Sequence, residues 1–368
     1  VIGVYRRCSV DNTLRIPQWV KDHPNFVFVE GDVTDVFSIN SILQKYQPDE
    51  YYNLAAQSHV GTSFYQPLLT WKVNAEAVVI VLEGIKQYSP HTKLYQASTS
   101  EMFGKNYSER EHVNELKHTR FNELGRCLYD FTTGKQNFKY QDFNTPFAPQ
   151  SPYAVAKLAA HNSVQLYRDA YDLHVSSGVL FNHEAPRRGL KFVTRKITSW
   201  IGSFVNAMED ARSNLGIEYD GPRYINTDEG YIGFDGNWTK TFPMLRLGNL
   251  DTYRDWGHAK DYVYAMWLML QQEKPDDFII ATGESHSIKE FLDCAFGEVG
   301  LDWSSFVIQD PKYMRPAEVN YLRGDCSKAN TVLGWKPKVS FKELVKEMVN
   351  HDIELMKKTN NGEYTQLR

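Results

Sequence analysis

Tyr153 and Lys157 stand four residues apart in SPYAVAKLAAHNSVQLYRDAYD, and the cluster Ser98-Thr99-Ser100-Glu101 ends the run KLYQA. Positions i and i+4 share one face of a helix. An ammonium close to a phenol favours the phenolate and brings the phenol down from about 10, which makes a tyrosine a usable base near neutral pH. Taken alone the spacing also describes an exposed helical pair, since both residues are common. The chemical reading gains weight from the hydroxyl cluster, which ends the preceding strand of a nucleotide-type sheet, so that both groups would face one crevice.

The elements that must position these groups are legible in the text. NFVFVEGD, SINSILQKYQ, DEYYNLAA, NAEAVVIVLEGIKQY and KLYQAST read as strand, helix, strand, helix, strand. Such alternation predicts a parallel sheet with helices on both faces, and ligands of such sheets bind outside the carboxyl ends of the strands. Those ends read EGDVTD, NLAAQSHV and QASTSEMFG, rich in small and hydroxylated residues that let backbone approach a ligand. Further on, the long amphipathic helix of Tyr153 precedes the strand LHVSSGVLFNH, then come FIIATG, the helix SIKEFLDCAFGEVG and a C-terminal helix from Ser340 with a capping box closed by Glu343. The expected fold is α/β: a Rossmann-type doubly wound parallel sheet over 1–180 and a smaller α/β substrate-binding portion over 181–368, some segments of which return to the first. The opening VIGVYRRCSVDN fits the end of a second strand, where an arginine accommodates a 2′-phosphate. A first strand, a glycine-rich turn and a helix are then expected ahead of Val1, cut from the record rather than lost by the protein.

Two stretches break the rhythm, about 105–140 and 208–243, and read as surface elaborations at a subunit contact. The second contains Gly230-Tyr-Ile-Gly233-Phe-Asp-Gly236, with the spacing of a phosphate turn. It is followed by NWTKTFP rather than a helix-forming stretch, so no helix N-terminus is aimed at a phosphate and the motif is set aside.

Bulk composition narrows the classes. The chain has 368 residues, 42% hydrophobic and 23% charged, with a formal net charge of -4, so no basic field invites nucleic acid. No run reaches the roughly 20 apolar residues of a membrane helix and no signal peptide is visible, which leaves a cytoplasmic protein as the expectation. Cys8, Cys127, Cys294 and Cys326 form no CxxC pair, and HExxH does not occur, so neither a disulfide frame nor a metal site is expected.

The segments YYNLAAQSHV, YQASTSEMFG, SPYAVAKL, LFNHEAPRRG, FVTRKI, LGNLDTYRDWGHAKDYVYAMWLML, DDFIIATGE, YMRPAEVNYLRGDCSKAN and LGWKPKVSF follow one another in this order. Together they resemble the GDP-mannose 4,6-dehydratase family, an NADP-dependent branch of the extended short-chain dehydrogenases/reductases. The two irregular stretches have no counterpart in that pattern. The resemblance implies a concealed redox cycle on bound NADP. Tyr153, tuned by Lys157, takes the proton of the sugar 4-hydroxyl, with Thr99 on the same oxygen, as hydride leaves that carbon. Glu101 removes the 5-proton and protonates the departing 6-hydroxyl, and hydride returns at the 6-position. Without the match, Glu101 would be a solvated loop carboxylate; Ser100 reads equally as a spacer or a second proton relay.

The resemblance also implies cofactor contacts. Arg6, Arg7 and Ser9 fall at the 2′-phosphate, Asp32 and Val33 by the adenine, Leu54, Ala55, Ala56 and Ser58 along the ribose and nicotinamide, and His183 and Arg188 at the nicotinamide side and phosphates. A satisfied loop histidine and a surface arginine are the plainer readings of the last two. Asn182, Lys196, Arg254, Arg315 and Glu318 are the implied sugar-nucleotide contacts. Arg254 can fork onto diphosphate oxygens, and Glu318 either accepts from guanine or pairs with Arg315. Asn12 and Arg15 are implied to reach a neighbouring subunit, in a homodimer or homotetramer. The implied partner is a GDP-sugar, with neither nucleic acid nor membrane. A GDP-heptose, a 4-epimerase or reductase reaction, and a non-catalytic paralogue serving as an assembly subunit are the alternatives. A 4-epimerase needs the tyrosine, lysine and hydroxyl but no acid for elimination, so Glu101 separates it from a dehydratase.

Overall fold

The computed structural model describes residues 1–9, 13, 16–121, 127–215, 224–226, 230–233 and 241–358; for 110–121, 127–138, 214–215 and 224–226 it describes the backbone alone. Strands Glu50–Asn53, Lys93–Ala97, Val175–Leu180 and Phe278–Ile280 lie side by side in that order, all parallel, with Tyr51 opposite Leu94, Leu94 opposite Val175 and Phe278 opposite Gly178. The six residues Val175–Leu180 are all buried, as expected for a strand covered on both faces. Ile2–Tyr5 and Val27–Glu30 form a second parallel pair, Ile2 opposite Val27.

Helices cover both faces of the sheet. On one side Ile39, Leu43, Val78, Val81, Leu82, Ile85, Ala160 and Val164 pack with Leu94 and Val175. On the other, Tyr262, Ala265, Met266, Met269 and Leu270 pack with Tyr95, Leu180, Phe278 and Ile280. This is the doubly wound arrangement expected from the alternating text. Local chemistry sets the helix starts. Asp35 caps Val36–Tyr46 by accepting from Phe37 N at 3.1 Å, and Ser151 caps Pro152–Tyr171 by accepting from Ala154 N at 3.1 Å, with Pro152 in the first turn. Each such cap stabilises its helix by about 1 kcal/mol.

The second core is aromatic. Trp200, Phe204, Phe242, Phe291, Phe296 and Phe306 pack with Leu344 and Met348 between helices Val193–Leu215, Ile288–Gly297 and Phe341–Lys358. The capping box at Ser340 is present: Ser340 N donates to Glu343 Oε2 at 2.9 Å and Glu343 N to Ser340 Oγ at 3.3 Å.

The described residues of the stretch 208–243 reach into the core rather than lying on the surface. Residues 208–215 continue the helix Val193–Leu215, and Ile232 and Phe242 lie in the aromatic core at 0% and 3% exposure. Tyr231–Gly233 is the middle strand of an antiparallel sheet with Tyr224–Asn226 and Thr241–Pro243. Its hydrophobic side chains were concealed by a run of Gly, Asn and Asp that shows no period. Gly230, at φ +75, serves that sheet's turn, its carbonyl accepting from Met244 N at 2.9 Å; Gly236 lies outside the described residues. The stretch 105–140 forms an antiparallel hairpin, Ser108–Phe121 with Cys127–Tyr140, whose base is held by Gln141 N donating to Arg323 O at 2.8 Å. Among the described residues no helix is long and apolar enough to cross a membrane.

Candidate active site

Parallel strands present their carboxyl ends on one edge, and most of the expected groups follow those ends. Arg6, Arg7 and Ser9 follow Ile2–Tyr5 and are exposed; Asp32 and Val33 follow Val27–Glu30; Leu54, Ala55, Ala56 and Ser58 follow Glu50–Asn53; Thr99 and Glu101 follow Lys93–Ala97. Asn12 and Arg15 lie outside the described residues. Asp32 accepts from Thr34 N at 2.9 Å and Thr34 Oγ1 at 2.8 Å. Burial alone would raise its pKa, but these bonds and the charges of Arg6 and Lys72 hold it below the usual carboxylate range. The loop after Asn53 is fixed by a side chain that motif reading passed over. Buried Asn74 accepts from Gln57 N at 2.8 Å and donates to Gln57 O at 2.9 Å.

Thr99 N-caps the short turn Ser100–Phe103, accepting from Glu101 N at 3.3 Å, so its hydroxyl and the Glu101 carboxylate leave one turn together. Tyr153 is buried against them. Burial pushes its phenol up to about 12; a hydrogen bond with Thr99 draws it down, Glu101 pushes it up and the charge of Arg188 draws it down. The ammonium of Lys157 donates to Ala97 O at 2.9 Å, and burial lowers its pKa to about 8.

Charges of the two portions meet over Glu101. Arg315 Nη1 is 3.9 Å from Glu101 Oε1 and 3.3 Å from Glu318 Oε1, and Arg254 Nη2 is 3.1 Å from the same Glu318 oxygen. Glu318 is thus shared by two arginines, which favours the ion-pair reading over a carboxylate left for guanine. Arg254 is buried, desolvation lowers its pKa, and Glu101 and Glu318 work against that. Its neighbour Asp255, unmarked by any motif, accepts from Thr282 N, Thr282 Oγ1, Gly283 N and Gly324 N at 2.7 to 3.2 Å and so ties three loops beneath the arginine.

Asn182–Glu184 pairs in parallel with Trp256–His258, which brings Asn182 and His183 close to the Arg254 segment. His183 donates from Nδ1 to Phe181 O at 2.9 Å in the neutral form that burial imposes, with its pKa at about 4, and stacks on Tyr262 at 4.9 Å. Arg188 Nε is 3.1 Å from the buried carboxylate of Glu184, and its guanidinium lies 3.6 Å from the centroid of the Phe192 ring. Lys196 stands apart from this cluster, donating to Arg246 O at 2.5 Å above the ring of Tyr313, with burial lowering it to about 8.

A hydroxyl, a phenol and a carboxylate on one side and a pair of arginines on the other form a site for proton transfer on an anionic substrate. The model of the NAD dependent epimerase/dehydratase family matches residues 1–281, and that of GDP-mannose 4,6 dehydratase matches 238–348. GDP-mannose 4,6 dehydratase 1 of Arabidopsis thaliana is 42% identical over 97% of this chain and 84% of its own length. The human GDP-mannose 4,6 dehydratase is 38% identical over 98% and 87%. Among solved structures, UDP-glucose 4-epimerase of Thermotoga maritima superposes with a TM-score of 0.68 at 19% identity, covering 98% of this chain and 91% of its own. dTDP-glucose 4,6-dehydratase of Bacillus anthracis, in complex with NAD, gives 0.66 at 20% identity, with coverages of 95% and 86%. The chain belongs to the GDP-mannose 4,6-dehydratases, within the NAD dependent epimerase/dehydratase family.

Proposed function

We propose that this protein is a hydro-lyase that converts GDP-mannose to GDP-4-keto-6-deoxymannose, with NADP as a resident cofactor. The observation that carries the reading is Glu101 beside Thr99 and Tyr153: a carboxylate adjoining the phenol–hydroxyl pair is what elimination of water needs and epimerisation does not. Relatives at 38% and 42% identity over nearly the whole chain support the same choice.

The residues fit a nicotinamide dinucleotide. Lys157 is a buried ammonium with three donors, and its one hydrogen-bond partner among the described residues is Ala97 O, which leaves donors for ribose hydroxyls. Arg6, Arg7 and Ser9 would hold the 2′-phosphate that distinguishes NADP, Asp32 and Val33 the adenine, Leu54, Ala55, Ala56 and Ser58 the ribose and nicotinamide, and His183 and Arg188 the nicotinamide side and phosphates. When bound, the cofactor would supply a hydride acceptor for the 4-carbon and then return that hydride to the 6-carbon, the proton held by Tyr153 going to the 5-carbon, and its oxidised form would add a positive charge that draws the phenol down. Tyr153 accepts the 4-hydroxyl proton, and Thr99 holds the same oxygen. The 4-ketone acidifies the 5-position; Glu101 takes that proton and delivers it to the departing 6-hydroxyl, releasing water. Arg254 and Arg315 would take the diphosphate, with Asn182 and Lys196 on the sugar nucleotide and Glu318 orienting the arginines.

A homo-oligomer accompanies this reading. Tyr65, Leu68 and Trp71 on one side and Val155 and Leu166 on the catalytic helix are exposed, and Leu68, Trp71, Pro152 and Val155 line a groove of about 520 Å³. A second copy is the occupant we assign, as the homo-oligomer that the family resemblance implies; the strip runs from Leu68 and Trp71 onto the helix that carries Tyr153 and Lys157. Incubation of the full-length protein with NADP and GDP-mannose is expected to yield a 4-keto-6-deoxy sugar nucleotide. Unchanged GDP-mannose in the presence of bound NADP(H) would overturn the substrate assignment.

A further inference from the structure

Asp352, on the C-terminal helix Phe341–Lys358, is fully buried, and its carboxylate collects three donors: Arg195 Nε at 3.0 Å, Arg195 Nη2 at 2.7 Å and Thr198 Oγ1 at 2.6 Å. A buried ion pair is weak evidence for stability, since apolar side chains of the same volume often serve as well. The third nitrogen of Arg195 does something an apolar pair could not. Its Nη1 donates to Arg188 O at 3.0 Å and also to Pro186 O. Both carbonyls belong to the loop that carries Arg188. The side chain of Arg188 is held separately, by Glu184 at 3.1 Å and by the Phe192 ring, and Glu184 in turn accepts from Thr194 Oγ1 at 2.7 Å. Backbone and side chain of one functional arginine are therefore gripped by Thr194 and Arg195, consecutive residues in the first turn of the helix Val193–Leu215.

We propose that Arg195 and Asp352 are positioning residues: Asp352 locks two nitrogens of the Arg195 guanidinium so that the third holds the backbone at Pro186 and Arg188, and this fixes the Arg188 guanidinium against the cofactor. The proposal rests on the reading of Arg188 as a cofactor contact. Arginine is required because five donors in a rigid plane can serve a carboxylate and two carbonyls at once, whereas one ammonium cannot span them. The C-terminal helix thereby reaches the cofactor side of the site from 164 residues downstream of Arg188, without touching any reacting group.

Arg195→Lys keeps the charge opposite Asp352 and removes the fork, so it is the primary variant; Asp352→Asn is the second, with thermal unfolding measured for both. In the free protein, amide hydrogen exchange over residues 185–192 is expected to rise by roughly tenfold in Arg195→Lys, since local opening is governed by such contacts. NADPH titration is expected to show about tenfold weaker binding for Arg195→Lys and for Arg188→Gln, and the double variant is expected to bind no worse than Arg188→Gln alone, as for groups in one network. A merely structural role predicts a lower unfolding temperature, unchanged exchange over 185–192, and losses that add. Either the unchanged exchange or full additivity overturns the proposal. If the wild type binds neither NADPH nor NADH, the cofactor reading fails, and the exchange measurement still decides whether the clamp exists.

Discussion

The ammonium of Lys157 donates to the carbonyl oxygen of Ala97 at 2.9 Å, tying the helix that carries Tyr153 to the strand end that carries Thr99 and Glu101. The lysine thus serves as a strut between the two halves of the proton-transfer group. Burial raises the phenol of Tyr153, Thr99 and the charge of Arg188 lower it, and Glu101 raises it.

Glu101→Gln separates elimination from oxidation. The variant is expected to bind NADPH normally and to lose about a hundredfold to ten-thousandfold in formation of the 4-keto-6-deoxy product, the range for a general acid–base group. Exchange of the sugar 5-hydrogen with deuterated solvent should fall in parallel. Turnover within a few fold of wild type would mean that another group carries the proton.

Arg188 contributes a positive charge that favours the Tyr153 phenolate. Arg188→Gln removes it, so the folded-state pKa of the phenol rises and the ascending limb of kcat/KM against pH moves to higher pH, by up to about one unit. A limb that stays in place would show that the charge is not felt at the phenol during turnover.

Glu318 sits within 3.3 Å of both Arg254 and Arg315. If it orients these arginines, Glu318→Gln weakens GDP-mannose and ADP-mannose by a similar factor, of the order of tenfold, because the diphosphate is common to both. A loss confined to the guanine nucleotide, read from inhibition constants, would restore direct base recognition.

Burial pushes Asp255 up to about 6 from 3.8 in spite of its four donors. Between those two pH values the folded state binds more protons than the unfolded one, so this group's contribution to stability falls as pH rises through the window and recovers on acidification from about 6 to 3.8. Asp255→Asn is expected to cost about 1–3 kcal/mol at neutral pH, since an amide NH2 then faces N–H donors, and to abolish that pH-dependent component. Denaturant titrations at several pH values check both.

Leu68 and Leu166 are 85% and 60% exposed on the apolar strip. Leu68→Asp with Leu166→Asp is expected to shift the protein to a monomer in light scattering while leaving NADPH affinity within a few fold. A wild type that is already monomeric at micromolar concentration would remove the proposed second copy from the strip.

Much of the nucleotide-binding half was legible from local text. The strands ending in Asn53 and Ala97 and the helix opened by Ser151 and Pro152 stand where the alternation placed them. The capping box at Ser340 likewise formed from residues three apart. The burial of Ile232 and Phe242 is hidden in the sequence because they are single apolar residues among Gly, Asn and Asp, and only the aromatic core around Trp200 reveals what they bury against. Asn74 and Asp255 carry no motif, and what they do depends on backbone groups brought to them by folding.

By itself the sequence determined the α/β fold class, the strands and helices of the parallel sheet and the family resemblance that singles out the candidate side chains. Period, caps and the i, i+4 face act over a few residues and need no tertiary partner. Only the tertiary structure decided what those side chains are. Desolvation and ion pairing depend on groups far along the chain. They lift the phenol of Tyr153, turn Lys157 toward Ala97, share Glu318 between two arginines and bind Arg195 to Asp352 across 157 residues.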